Sequence, residues 1–171
     1  PGELVPITEL PKASDWGDAN KIEAIKRATR EFSRDEFRDL LFRCHCILRD
    51  NHKMPPGEAF DTISKILFVK MYIERTGTWG TFTTDFLDQR EKTRLPNDKP
   101  VHVQLFEQTK DHYKQDELFS EKDKLDEISD ATFRRIVREL AKFNLSATGD
   151  DVKGLAFEKF LGDTFRGELG P

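Results

Sequence analysis

Hydrophobic residues along most of this chain recur three and four positions apart, the spacing that lines one face of an α-helix. Ile22, Ile25, Thr29 and Phe32 form the first such set, starting from Asp18. Ser33 and Glu36 then make S-x-x-E, the pattern in which two side chains satisfy the free amides of a new helix. Phe37, Leu40, Leu41, Cys44, Ile47 and Leu48 follow at helical spacing. The stretch NHKMPPG ends that helix near Asn51, because a residue before proline avoids the α region. A second helix is expected from about Glu58 to Arg75. Its centre, Ile66-Leu67-Phe68-Val69, is apolar on every side, which marks a buried helix. Further helices are expected over Phe82 to Arg94 and Val101 to Lys114. In the latter, VHVQLF alternates like a strand but has no evident partner strand. Residues 115–128 are charged and read as a surface excursion. Phe133, Ile136, Val137, Leu140 and Phe143 mark another amphipathic helix. A last one runs from Asp150 or Asp151, whose charges suit a helix N-terminus, to Gly167 as C-cap.

Residues 1–17, PGELVPITELPKASDWG, hold three prolines and no sustained period, so they read as an extended lead-in. The expected architecture is all-α: an orthogonal bundle of about six to seven helices over 18–167. Residues 168–171 would begin a linker. No internal repeat or low-complexity tract interrupts this pattern.

Composition narrows the class. The 171 residues are 36% hydrophobic and 35% charged, and fourteen Phe against two Tyr and two Trp imply a phenylalanine-rich core. Net charge is -4, so any nucleic-acid contact must come from a local basic face. Two cysteines make no disulfide framework, which favours a reducing, cytoplasmic setting. No apolar run is long enough to span a bilayer, and the N-terminus lacks a signal pattern.

The stretch RCHCILRDNH, residues 43–52, first suggests a metal site. Each helical residue turns about 100°. With Arg34 at zero, Cys44 falls at about 280° and Cys46 at about 120°, too far round the helix to share one tetrahedral ion. Cys44 lies inside the apolar stripe, as a packed thiol. Arg34, Arg38, His45, Arg49 and His52 fall together between about 0° and 60°, apart from Asp35, Asp39 and Asp50. That strip faces either solvent or phosphates. Arg134, Arg135, Arg138 and Lys142 form a second basic cluster with the same two readings.

Catalytic chemistry is not evident. Gly77 to Gly80 and Gly167 to Gly170 match G-x-x-G without the helix-and-sheet setting that clamps nucleotides. No strand leads into a Gly-rich cofactor loop, and neither G-x-S-x-G nor H-E-x-x-H occurs. No catalytic, cofactor-binding or metal-ligating residue is assigned.

Two stretches carry a family resemblance. FRDLLFRCHCILRDNHKMPPGEAFDTISKILFVKMYIER resembles the opening helices of adenine-specific DNA methyltransferases of restriction–modification systems, the type I modification subunit and its relatives. ISDATFRRIVRELAKFNLSATGDDVKGLAFEKFLGDTFRGELG looks like the end of the same helical domain, which in that family leads into a Gly-Gln-Phe-Phe-Thr-Pro type segment. The resemblance covers Phe37 to Gly170; Pro171 stands where the family would place Gln. It implies a parent enzyme that uses S-adenosylmethionine to methylate the exocyclic amine of a flipped adenine. The Asn-Pro-Pro-aromatic motif and cofactor loop are absent here, so this chain by itself implies no cofactor. The implied role is to embrace double-stranded DNA and pack against the methyltransferase catalytic domain and a specificity subunit. The lead-in is compatible with a fused nuclease component. The alternative is an assembly domain that docks the specificity or nuclease component and never touches DNA. Under the first reading the DNA-facing residues are Arg34, Arg38, Arg49, Arg134, Arg135 and Arg138.

Overall fold

The computed structural model describes residues 34–77 and 82–146. The expected helices at 18–32 and 150–167, the Ser33 cap, the lead-in and the outer domain boundaries lie outside them. The described part is all-helical. Helix α1 is Arg34–His52, α2 Pro56–Thr76, α3 Thr84–Thr93, α4 Val101–His112 and α5 Asp130–Leu140, with a 3₁₀ turn at Lys114–Asp116. VHVQLF is indeed helical, since its apolar residues Val101, Val103, Leu105 and Phe106 are all buried in α4.

The neighbours close into a cycle. Helix α1 packs on α2 and α5, α2 on α4, and α4 on α5, while α3 lies against α4 and α5. Phe37, Leu40, Leu41, Cys44 and Leu48 are fully buried along α1, and Phe133, Ile136, Val137 and Leu140 along α5. Each fully buried aliphatic or aromatic side chain contributes about 1.5–3 kcal/mol. These two stripes therefore hold the α1–α5 junction. Pro56 opens α2 where no amide bond is needed, and Thr83 caps α3 by accepting from the Phe86 amide.

Two features of α2 depart from the pattern of its apolar residues. Lys65 and Lys70 are buried with it. Lys65 Nζ donates to the Lys124 carbonyl at 2.9 Å and pairs with Asp61 at 2.8 Å. Lys70 Nζ pairs with Glu74 Oε1 at 2.7 Å, and only 13% of the Glu74 side chain is exposed. Glu74 also accepts from the Leu145 amide at 3.0 Å and the Ser146 amide at 2.8 Å. One carboxylate thus neutralises a buried ammonium and fastens the chain that leaves α5.

The surface excursion expected at 115–128 is corrected to a strap bound into the core. Phe119 inserts edge-on against Phe68 of α2 and Phe106 of α4, both at 5.2 Å between ring centres. Leu125 and Ile128 are buried. Lys110 Nζ donates to the Asp123 carbonyl at 2.8 Å and sits 5.7 Å from the Phe106 ring. The charged residues of the strap face outward, while its few apolar ones and its carbonyls face in. Asp123 accepts from the Ser120 amide and hydroxyl, and the amide bond chiefly holds its carboxyl below the ordinary range.

Burial pushes the Lys70 ammonium below the ordinary lysine value, and Glu74 opposes that shift. Glu74→Ala leaves the charge unpaired and should cost about 3 kcal/mol at neutral pH. The unfolded chain then holds the Lys70 proton more tightly than the folded one. Stability of the variant should therefore climb as pH rises toward about 10, more steeply than for the unaltered chain. Urea denaturation at both pH values measures this, and equal pH slopes for the two proteins would refute it.

Candidate nucleic-acid interface

The two basic clusters differ once their partners are seen. Arg34 begins α1, and its side chain lies outside the described part. Arg38 is engaged by its chain neighbour, with Nη2 2.9 Å from Asp39 Oδ1, and lies 3.9 Å from Asp35. Arg49 Nε is 2.9 Å from Asp50 Oδ1. Arginine is long enough to reach a carboxylate one residue on, so the expected separation of charge around α1 is lost. The strip is also broken. His45 is only 6% exposed, and His52 Nε2 is 2.8 Å from Thr132 Oγ1 of α5. Both histidines therefore belong to interfaces rather than to a phosphate-facing edge.

On α5 the residues divide by face. Arg134 turns toward α3, where it binds Asp88, and holds Asp130 one turn back at 2.7 Å. It is a cross-link between helices. Arg135 is exposed and meets only a neutral group, donating to Asn51 Oδ1 at 3.4 Å. Arg138 and Lys142 are exposed as well. Arg135, Arg138 and Lys142 lie at about 140°, 80° and 120° around the helix axis from Asp130, opposite the buried stripe. None of the three makes an ion pair among the described residues. Glu139 lies nearby in sequence, but its carboxylate is taken by Arg43 at 3.1 Å. The result is a short basic face on the outside of α5.

Lys53 was not among the expected residues. It follows α1 directly in left-handed backbone, φ 52°, and is exposed two residues beyond Asn51. Its signal in the sequence is the helix stop NHKMPP, where a residue leaving the helix before the prolines projects from the surface.

Among the described residues no group of three or more His, Cys, Asp or Glu is placed to hold a metal ion. Nor is any described helix long and apolar enough to cross a membrane. A pocket of about 470 Å³ lies between α4 and the strap, walled by His102, Phe106, Lys110 and Asp130 among others. Lys110 is already committed there to strap carbonyls. Comparison with protein-family models, with curated proteins and with solved structures finds no match for this chain.

The cysteines separate as the helix geometry requires. Cys44 is fully buried and Cys46 half-buried. Burial, with a smaller push from Glu139, raises the Cys44 thiol to about 12. Only about one in ten thousand Cys44 groups is then a thiolate at pH 8. A thiol reagent should modify Cys46 in the folded chain and reach Cys44 only with unfolding. Two fast thiols under native conditions would contradict the packing of α1.

Proposed function

We propose that the chain is the helical DNA-embracing and assembly domain of an S-adenosylmethionine-dependent, adenine-specific DNA methyltransferase of a restriction–modification system. In this reading the helices expected at 18–32 and 150–167 complete an orthogonal bundle of six to seven, with the extended lead-in before it. The domain is non-catalytic in isolation and works in the cytoplasm beside a catalytic domain and a specificity subunit. The family part of the proposal rests on the resemblance of Phe37 to Gly170.

The observation that carries DNA contact is the outer face of α5, with Arg135, Arg138 and Lys142 exposed and free of carboxylate partners. A cation already paired with a carboxylate must give up that partner to bind a phosphate, so Arg38, Arg49 and Arg134 rank below these three. Three phosphate contacts position a protein on a duplex without reading its sequence. With net charge -4 around so small a face, binding by the chain alone should be weak.

Fluorescence anisotropy with a labelled duplex, across a salt series starting at low ionic strength, tests this. The unaltered chain should show a log-affinity against log-salt slope of roughly -3. Replacing Arg135 and Arg138 together by Gln should make it shallower by about two. Replacing Arg38 and Arg49 by Gln should leave it nearly unchanged. If the first pair changes neither affinity nor slope, the α5 face is not the interface and the protein-assembly reading takes its place.

A further inference from the structure

Two histidines from different helices meet the same turn of chain, the entry into α5. His52 ends α1 and His102 stands in the first turn of α4. Ser129 is the N-cap of α5, its hydroxyl accepting from the Thr132 amide at 3.2 Å. The Ser129 amide donates to His52 Nε2 at 3.4 Å, and Thr132 Oγ1 lies 2.8 Å from the same nitrogen. A backbone N–H can only donate, so Nε2 of His52 must be bare and its ring proton must sit on Nδ1. His102 has the opposite arrangement. Its Nε2 lies 3.1 Å from the Ile128 carbonyl, which can only accept, so that nitrogen carries the proton. His102 Nδ1 is buried without a hydrogen-bond partner, 3.8 Å from Asp130 Oδ1. The ring is stacked on Phe133 at 5.5 Å.

We propose that these two neutral imidazoles form a pH-sensitive latch on the first turn of α5, closed when both are unprotonated and opened by protonation. A proton on His52 Nε2 would place one N–H against another at Ser129 and remove that bond. A proton on His102 would give Nδ1 a donor directed at Asp130, the carboxylate that also holds Arg134 and, through it, α3. Either event adds positive charge at a helix N-terminus, where the backbone dipole opposes it.

The surrounding charges set how far this goes. His102 faces Asp130 and Arg134 from α5, Asp126 and Glu127 from the strap, and Lys99 beside it on the α4 side. His52 has Arg49 and Lys53 on its own segment, Glu127 and Asp130 beside the capped turn, and Arg135 above Asn51. Glu127 is bound to Thr62 of α2 at 3.1 Å and so is not free to swing to either ring. Desolvation, the largest influence, holds His102 below the ordinary histidine value despite Asp130. Its contribution to stability is therefore complete above the unfolded value of about 6.5 and declines as pH falls below it. The inference does not depend on DNA binding, though α5 is also the helix that bears the exposed cations.

Two measurements decide it on the full chain. Ring ¹⁵N shifts at pH 7.5 should report the Nδ1–H tautomer for His52 and the Nε2–H tautomer for His102. The reverse assignment at either ring overturns the latch, and this readout needs no variant. Amide exchange, corrected for its intrinsic pH dependence, should then lose protection at Ser129, Thr132 and Phe133 by up to about tenfold per pH unit below about 6.5 for each proton taken up. Amides in the middle of α2 should stay protected over the same range. The His52→Gln, His102→Gln double variant keeps an acceptor for Ser129 and a donor for Ile128 but cannot titrate, so its protection should be flat. Protection that is pH-independent in the unaltered chain, that falls equally in α2, or that still falls in the variant refutes the proposal.

Discussion

An ammonium group cannot leave water without an oxygen partner, and α2 carries two of them into the interior. Much of the tertiary arrangement follows from how Lys65 and Lys70 are satisfied. Lys65 takes a backbone carbonyl from Lys124, fifty-nine residues away, which fixes the strap across α2 and α4. Lys70 takes Glu74, and Glu74 in turn takes the amides of Leu145 and Ser146. The same two lysines also approach aromatic faces, Lys65 at 5.9 Å from Phe106 and Lys70 at 5.2 Å from Phe82. Cation–ring contacts of this kind supply about 0.5–2 kcal/mol, less than removing either charge from water costs. The oxygens, rather than the rings, keep the lysines inside. The polar bonds therefore set the register of the segments, while Phe119, Leu125 and Ile128 supply most of the burial.

Helix positions were legible because they depend on local pattern. The proline pair at 55 and 56, the apolar stripe of α1 and the Ser129 start of α5 each act within a few residues. The burial of Cys44 follows from angle alone. Polar positions behaved differently. Periodicity assigns them outward by default, so Lys65, Lys70, His45 and His102 were invisible as interior groups. Their partners, Lys124 for one lysine and Ile128 for one histidine, lie in a segment whose composition reads as solvent-facing. No local pattern reports a carbonyl that will be needed by a lysine fifty-nine residues earlier.

The candidate interface was half legible for the same reason. Composition and spacing find arginines and sort them by face, and both basic clusters were found in that way. Whether a cation is available depends on which carboxylates reach it. Asp39 and Asp50 reach theirs from adjacent positions, while Asp88 reaches Arg134 from forty-six residues away. Only the assembled helices separate Arg134, which ties α3 to α5, from Arg135, which does not.

The fold itself has uses for some of the charges on α5, and these must be set aside before any remainder is given to a ligand. Arg134 joins two helices. Arg138 lies in the last turn of α5, where a cation gains about 0.3–1 kcal/mol from the helix dipole. Lys142 sits just past that turn and shares part of the benefit. Arg135 has no such account. It is a full turn short of the helix end, exposed, and bonded to a neutral amide at a distance near the limit for a hydrogen bond. An alanine or glutamine there would serve the helix as well. Its charge is therefore the one on this face that packing and helix energetics least explain, and the argument for an anionic partner is strongest at that residue.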